Sequence, residues 1–244
     1  MKRTLSIVLV ALLVVACAFA LVGCSGISSE EDWNKAMDAY LTADAITLNI
    51  TDEVWIWKSI IFDDHTKEKS TVSFDAKKGI VTIICENSGN NLSGYHLKSE
   101  DRYYYVLEET NVIQYHRHVT EYSNEWKKRA THEFDTVELA MEYLRDQYLN
   151  YLDSEQLPFV PVTELNYNNF LSYTLTGKRT YKNTVDGETY DYALNFSAGK
   201  LSKYAYKFEH NQDSSHRKTT IKISYSAKVN LPDDLPANEE DFVQ

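Results

Sequence analysis

The C-terminal half of the chain alternates apolar and polar residues with a period of two. Tyr190, Tyr192, Leu194 and Phe196 alternate with Asp191, Ala193, Asn195 and Ser197. The same pattern runs through Leu171, Tyr173 and Leu175, through Tyr204, Tyr206 and Phe208, and through Ile221, Ile223 and Tyr225. Successive side chains of a strand point to opposite faces, so each segment predicts an antiparallel strand with one buried and one wet face. Asp186-Gly187 and Ala198-Gly199-Lys200 separate these segments and predict hairpin turns.

The N-terminal half breaks this rule. In Val54–Phe62 one face carries Val54, Ile56, Ile60 and Phe62, and the other carries Trp55, Trp57 and Ile61. Ile80–Cys85 and Tyr103-Tyr104-Tyr105-Val106-Leu107 are also apolar on both faces. Strands of this kind are covered on both sides. The cover is the helices, another layer of protein, or a bound apolar ligand. A ligand cavity would be lined by Trp55, Trp57, Ile61 and Tyr104. Asp63-Asp64-His65, followed by Lys67-Glu68-Lys69, has the profile of a turn.

Two segments have helical spacing. Ser28-Ser29-Glu30-Glu31-Asp32 is a capping signal ahead of Trp33, Ala36, Met37, Tyr40 and Leu41. A second helix is predicted from Asp135, with Glu138 completing a capping box and Ala140, Leu144, Tyr148, Tyr151 and Leu152 as its stripe. Pro158 and Pro161 follow it. The fold class expected is α+β: a curved, half-barrel-like antiparallel sheet packed against two main helices, in one domain over residues 24–232. The echo between Ala36–Leu41 and Ala140–Leu144 leaves two tandem α-plus-sheet units open. Residues 233–244 are acidic and expected to fray.

The first residues give an address. Lys2 and Arg3 precede an uncharged run from Leu5 to Leu21, the layout of a secretory signal. Leu21-Val22-Gly23-Cys24 resembles the lipobox of bacterial lipoproteins, which implies cleavage after residue 23 and lipid attachment at Cys24. Val14-Val15-Ala16-Cys17 is a poorer match that shortens the apolar run, and an uncleaved anchor is the other alternative. The lipobox implies a bacterial protein held on the membrane by its acyl chains, facing outside the cytoplasm. Cys85 is then the one cysteine left, so no internal disulfide can form. It sits in an apolar run and reads as a buried structural thiol.

Loss of Lys2 and Arg3 takes the formal net charge from −11 to −13. So acidic a chain is a poor partner for nucleic acid. Trp126-Lys127-Lys128-Arg129, its nearest approach to a basic run, reads as a solvated strand end. No G-x-S-x-G, H-E-x-x-H or P-loop is present, and no cofactor motif. His116 and His118 share a strand face and could meet one metal, with His132 as the nearest third ligand; solvated histidines are the simpler reading. Asp63-Asp64-His65 invites a general-base role that its turn-like setting does not favour.

The order "TYDYALNF", "SAGKL", "SKYAYKFEH", "TTIKISY" and "SAKVNLPDDLP" resembles the closing meander of LolA/LppX-like extracytoplasmic lipoproteins. The resemblance covers Tyr167–Pro232, with the lipobox and first helix. It implies a curved sheet that wraps helices and can enclose an apolar cavity for lipid. The expectation is a non-enzymatic, membrane-anchored lipoprotein that binds an apolar or amphipathic ligand or serves as a cell-envelope accessory factor. The alternative is a protein- or glycan-interaction module with a filled core and displayed tyrosines. A hydrolase would need a polar cleft with convergent histidine and carboxylate groups.

Overall fold

A computed structural model describes residues 27, 29–59, 62–90, 96–153, 167–169, 172–173, 178–185, 188–209 and 216–236. The signal segment and Cys24 lie outside the described residues. Helix α1 (Glu30–Leu41) precedes six strands: β1 (Ala45–Ser59), β2 (Phe62–Asp75), β3 (Ile80–Asn90), β4 (His96–Glu108), β5 (Asn111–Thr120) and β6 (Asn124–Glu133). Helix α2 (Val137–Leu149) follows and tightens into a 3₁₀ turn, Asn150–Asp153. Five more strands follow among the described residues: β7 (Ser172–Tyr173), β8 (Lys178–Val185), β9 (Glu188–Ser197), β10 (Lys200–Glu209) and β11 (His216–Ser224).

All strands join one antiparallel sheet in the order β6-β5-β4-β3-β2-β1-β11-β10-β9-β8-β7. Two meanders meet at the β1–β11 seam, where Leu48 pairs with Ile223 and Asp52 with Thr219. The sheet is not closed: β6 and β7 end it. The expected α+β class, with two helices on an antiparallel sheet, is what the chain forms.

The helices begin where their caps place them. The Ser29 hydroxyl accepts from the Asp32 amide at 3.1 Å and starts α1. Thr136, one residue beyond the expected Asp135, caps α2 by accepting from the Leu139 amide at 3.3 Å. Tyr151 belongs to the 3₁₀ turn rather than to the helix stripe. Each helix packs on the meander it does not precede: α1 on β10, and α2 on β2 to β5. The packing merges both halves into one buried cluster of Trp33, Tyr40, Leu48, Phe74, Leu144, Tyr148, Leu194, Tyr204 and Ile221, among others. Tyr148 links the helices directly, donating its hydroxyl towards the carbonyls of Tyr40 at 3.1 Å and Leu41 at 3.2 Å.

Two turn readings change. The run Val54–Phe62 is not one strand, because Ser59 pairs with Phe62 across a hairpin. No Gly, Pro or Asn marks that reversal. Asp63-Asp64-His65 is not a turn; it lies in β2, opposite Trp57, Ile56 and Trp55. The β9–β10 turn is as expected: Ala198 and Gly199 both take positive φ, at 49° and 71°. Gly79 also requires its glycine, since φ is +64° and a Cβ would lie 2.8 Å from the Leu107 Cβ.

The face against the helices is called inner, and the other outer. The outer face carries a second apolar cluster of Tyr104, Ile113, Tyr115 and Trp126. Its cover is the chain's own C-terminal segment. Leu231 and Leu235 pack onto it, Arg117 pairs with Asp234, and the Lys78 ammonium donates to the Val229 carbonyl at 3.2 Å. The described start of the expected tail, Asp233 to Pro236, is therefore docked. The two-sided apolar pattern of Tyr103-Tyr104-Tyr105 has its explanation here: Tyr103 and Tyr105 meet the helix-side core, and Tyr104 meets the strap.

Candidate functional site

The inner face changes character along five neighbouring strands at once. Under α2 it carries Ile46, Leu48 and Ile50 on β1, Phe74 and Val72 on β2, Val81 and Ile83 on β3, Tyr105 and Tyr103 on β4, and Val112 on β5. Two residues further along each strand, the same face becomes polar. The strand register aligns Ser70, Cys85, Asp101 and His118 in one row and Asp52, Glu68, Asn87, Ser99 and Thr120 in the next. We call these rows the polar band.

Within the band, Asp52 and Asp101 each accept hydrogen bonds from a neighbouring strand. Arg217 forks onto Asp52, with Nε at 2.9 Å from Oδ1 and Nη2 at 2.7 Å from Oδ2, and Thr219 donates to Oδ1 at 2.6 Å. Asp101 Oδ1 accepts from His116 Nε2 and from His118 Nδ1, both at 2.8 Å. Burial pushes the Asp101 carboxyl up, but hydrogen bonds from His118 and His116 outweigh it and hold the group below the usual aspartate value. The Tyr103 ring lies flat on His116, 4.4 Å away and 7° from parallel.

A hydrogen-bond chain runs beside this cluster. Ser70 donates to Glu68 at 3.2 Å, Tyr151 donates to Ser70 at 2.7 Å, and Cys85 lies 3.0 Å from the Tyr151 hydroxyl. Tyr151 has one proton and gives it to Ser70, so Cys85 S–H is the donor to Tyr151. Burial pushes the Cys85 thiol up, more than its hydrogen bonds to Tyr151 and Ser70 bring it down. A thiol whose pKa is raised by burial and whose proton goes to Tyr151 is not an activated nucleophile. Among the described residues, neither imidazole is hydrogen-bonded to a hydroxyl or thiol.

The other predicted residues fall elsewhere. Trp55 is on the outer face, sandwiched between His65 at 4.9 Å and His216 at 4.4 Å. Its row runs through His65 and Asn90 to His96, and Tyr104 lies eight residues further along β4. That is roughly 27 Å along the strands, so Trp55 and Tyr104 do not line one cavity. The side chains of Trp57 and Ile61 lie outside the described residues. His132 bonds Gln114 at 3.3 Å and packs on Tyr143, several residues along the strands from His116. Among the described residues, no group of three metal-ligating side chains is arranged to hold an ion. Trp126 is buried within β6, so the basic stretch behind it belongs to the body of an edge strand rather than to a strand end.

At the β2–β5 end of the band a depression of ≈ 760 Å³ is lined by Asn87, Ser99 and Thr120 of the band together with Lys69, Glu86, Ser88, Lys98, Glu100, Val119 and Glu121 of the opposite strand parity. It is a polar hollow. The nearby ion pairs are Lys67 with Glu53 and Arg102 with Glu100.

Sequence reasoning missed the convergence of Asp101 on His116 and His118. The signal that could have found the band is present: on β1 to β5, same-parity positions pass from apolar to polar near the strand middle. Aligning those switches needs the register, which the strands do not announce individually. No family model matches the chain, and no curated protein matches it.

Proposed function

We propose that this chain is a membrane-anchored extracytoplasmic lipoprotein that acts by binding, with the polar end of its sheet as the binding surface. The anchor is the acylated Cys24. The carrying observation is the concerted apolar-to-polar switch on the inner face. The helix-covered half is filled by Trp33, Tyr40, Leu144 and Tyr148, each nearly inaccessible, while the half beyond is equipped with carboxylate, amide, hydroxyl and imidazole groups. The interaction-module reading is therefore favoured over the apolar-ligand reading. A relation to LolA/LppX-like half-barrels belongs to the same proposal and is supported by the open antiparallel sheet with two helices. The protonated Cys85 and the internally matched His116–Asp101–His118 group support binding without catalysis.

The test is native mass spectrometry of residues 25–244 purified without detergent, followed by solvent extraction. The expected result is the bare protein mass and no apolar extract. A co-purifying lipid that is lost on Trp55→Ala and Trp57→Ala would overturn the proposal in favour of a cavity. Cys24→Ser in the full chain is expected to abolish acyl labelling.

A further inference from the structure

The C-terminal strap has the pattern of a ligand. Leu231-Pro232 and Leu235-Pro236 repeat one dipeptide, and Asp233-Asp234 form a turn between them. Proline fixes its own φ and keeps the residue before it extended, so both leucines are positioned before they dock. The strap leaves β11 on the outer face, where the Thr47 hydroxyl donates to the Ser226 carbonyl at 2.8 Å. It passes Lys78 in the β2–β3 turn and ends against β5 and β6. Its grips are side chains: among the described residues, no backbone–backbone hydrogen bond joins residues 225–236 to the sheet.

The groove it fills matches that pattern. Tyr104, Tyr115 and Trp126 form it, with Ile113 among them, and the Trp126 ring lies 5.9 Å from Tyr104 and 6.2 Å from Tyr115. Arg117 forks onto Asp234, with Nη1 to Oδ1 and Nη2 to Oδ2 both at 3.1 Å. An aromatic-lined groove is a recurrent way to hold a proline-containing segment, and the fork asks for a carboxylate just before the second leucine.

Baring the groove would expose Tyr104, Ile113, Tyr115 and Trp126, each less than a tenth exposed in this structure. A lifted strap must therefore be replaced by an equivalent one. Ser226 and Lys228, between β11 and the first leucine, are exposed and offer a hinge. A second copy of the chain supplies the identical segment with its carboxylate in place. Exchange restores every strap–groove contact, so its equilibrium follows concentration and the hinge rather than new contacts.

We infer that the outer groove on β4 to β6 is a peptide-recognition site whose partner is the strap of a second copy of this chain, taken in exchange for its own. The groove lies on the face opposite the polar band, and the exchange does not depend on the role proposed for the band.

The test uses the full chain in detergent. A fluorescent peptide of residues 226–236 is titrated by anisotropy into the wild type and into Leu231→Ser with Leu235→Ser, which weakens the strap and leaves the groove intact. The double variant is expected to bind the peptide saturably and, once bound, to regain slow hydrogen exchange in β5 and β6. The wild type is expected to bind at least about tenfold more weakly, because its tethered strap competes at high effective concentration. A peptide carrying Leu235→Asp is expected not to bind. For the exchange itself, the double variant is mixed with Arg117→Glu, whose groove repels Asp234 and whose strap is intact. A one-to-one pair is expected by native mass spectrometry, with neither variant pairing with itself. If fast exchange in β9 and β10 shows the double variant to be unfolded, the milder Leu235→Ser takes its place. The inference is overturned if the strap variant does not bind the peptide, or if the wild type binds it as tightly. Peptide binding without the mixed pair overturns the second copy as the partner.

Discussion

Arg217 grips Asp52 across the β1–β11 seam, where the first and last strands of the two meanders meet. Their side chains are 17% and 8% exposed, so both charges are largely withdrawn from water. Removing one partner strands the other, at about 3–5 kcal/mol. Asp52→Ala is expected to lower the urea midpoint sharply. Asp52→Leu combined with Arg217→Met is expected to recover most of that loss, because a matched apolar pair has no desolvation debt. A double variant as unstable as the single one would show that the pair does more than neutralise itself.

The C-terminal strap is a separate element of stability. Leu231 and Leu235 cover Tyr104, Ile113, Tyr115 and Trp126, and the Arg117 guanidinium lies 5.0 Å over the Trp126 ring. Placing a charge under the strap, as in Leu235→Asp, is expected to speed hydrogen exchange in β5 and β6 while leaving β9 and β10 unchanged. Asp234→Asn is expected to do far less, under about 1 kcal/mol, because Asp234 is more than half exposed. Equal acceleration across the whole sheet would mean that the strap and the helix-side core unfold together.

With residues 1–24 removed, Cys85 is the sole thiol. Burial raises its pKa, and the hydrogen bonds it shares with Tyr151 and Ser70 oppose that rise. Iodoacetamide is expected to modify the folded protein at mildly alkaline pH at least about tenfold more slowly than the urea-unfolded chain, since the thiolate is the reacting form. Tyr151→Phe removes a lowering contact and is expected to slow the reaction further. Faster alkylation in that variant would mean that access, not protonation, limits the wild type.

The sequence carried the local structure well and the long-range structure poorly. Ser29 and the Trp33–Tyr40 stripe placed α1 because a cap and a 3.6 period are contained in a dozen residues. Tyr192, Leu194 and Phe196 were identified as one buried face for the same reason. The reversal between Ser59 and Phe62 was not legible, since an apolar hairpin tip has no turn residues to mark it. Nor was the strap, whose partner Arg117 is separated from Asp234 by most of the sheet in sequence. His116 and His118 were seen to share a face, but the carboxylate that joins them comes from the neighbouring strand. Asp101 meets His118 only because β4 and β5 pair in one register.

That meeting has a consequence for acid stability. Asp101 is held below the ordinary aspartate value in the folded chain, although burial alone would raise it. A carboxylate whose folded pKa is depressed contributes stability above its unfolded value, about 3.9, and loses it as pH falls through the folded value. Asp101→Asn is therefore expected to be less stable than the wild type at neutral pH in urea titrations. The gap should hold down to about pH 4 and close below it, as the wild-type carboxyl takes up its proton. The group is partly exposed, so solvent screens the effect and the shape of the pH profile is the firmer readout than its height. A gap that stayed constant into acid would place the cost of the variant in lost packing, and a gap that widened there would reverse the sign assigned to Asp101.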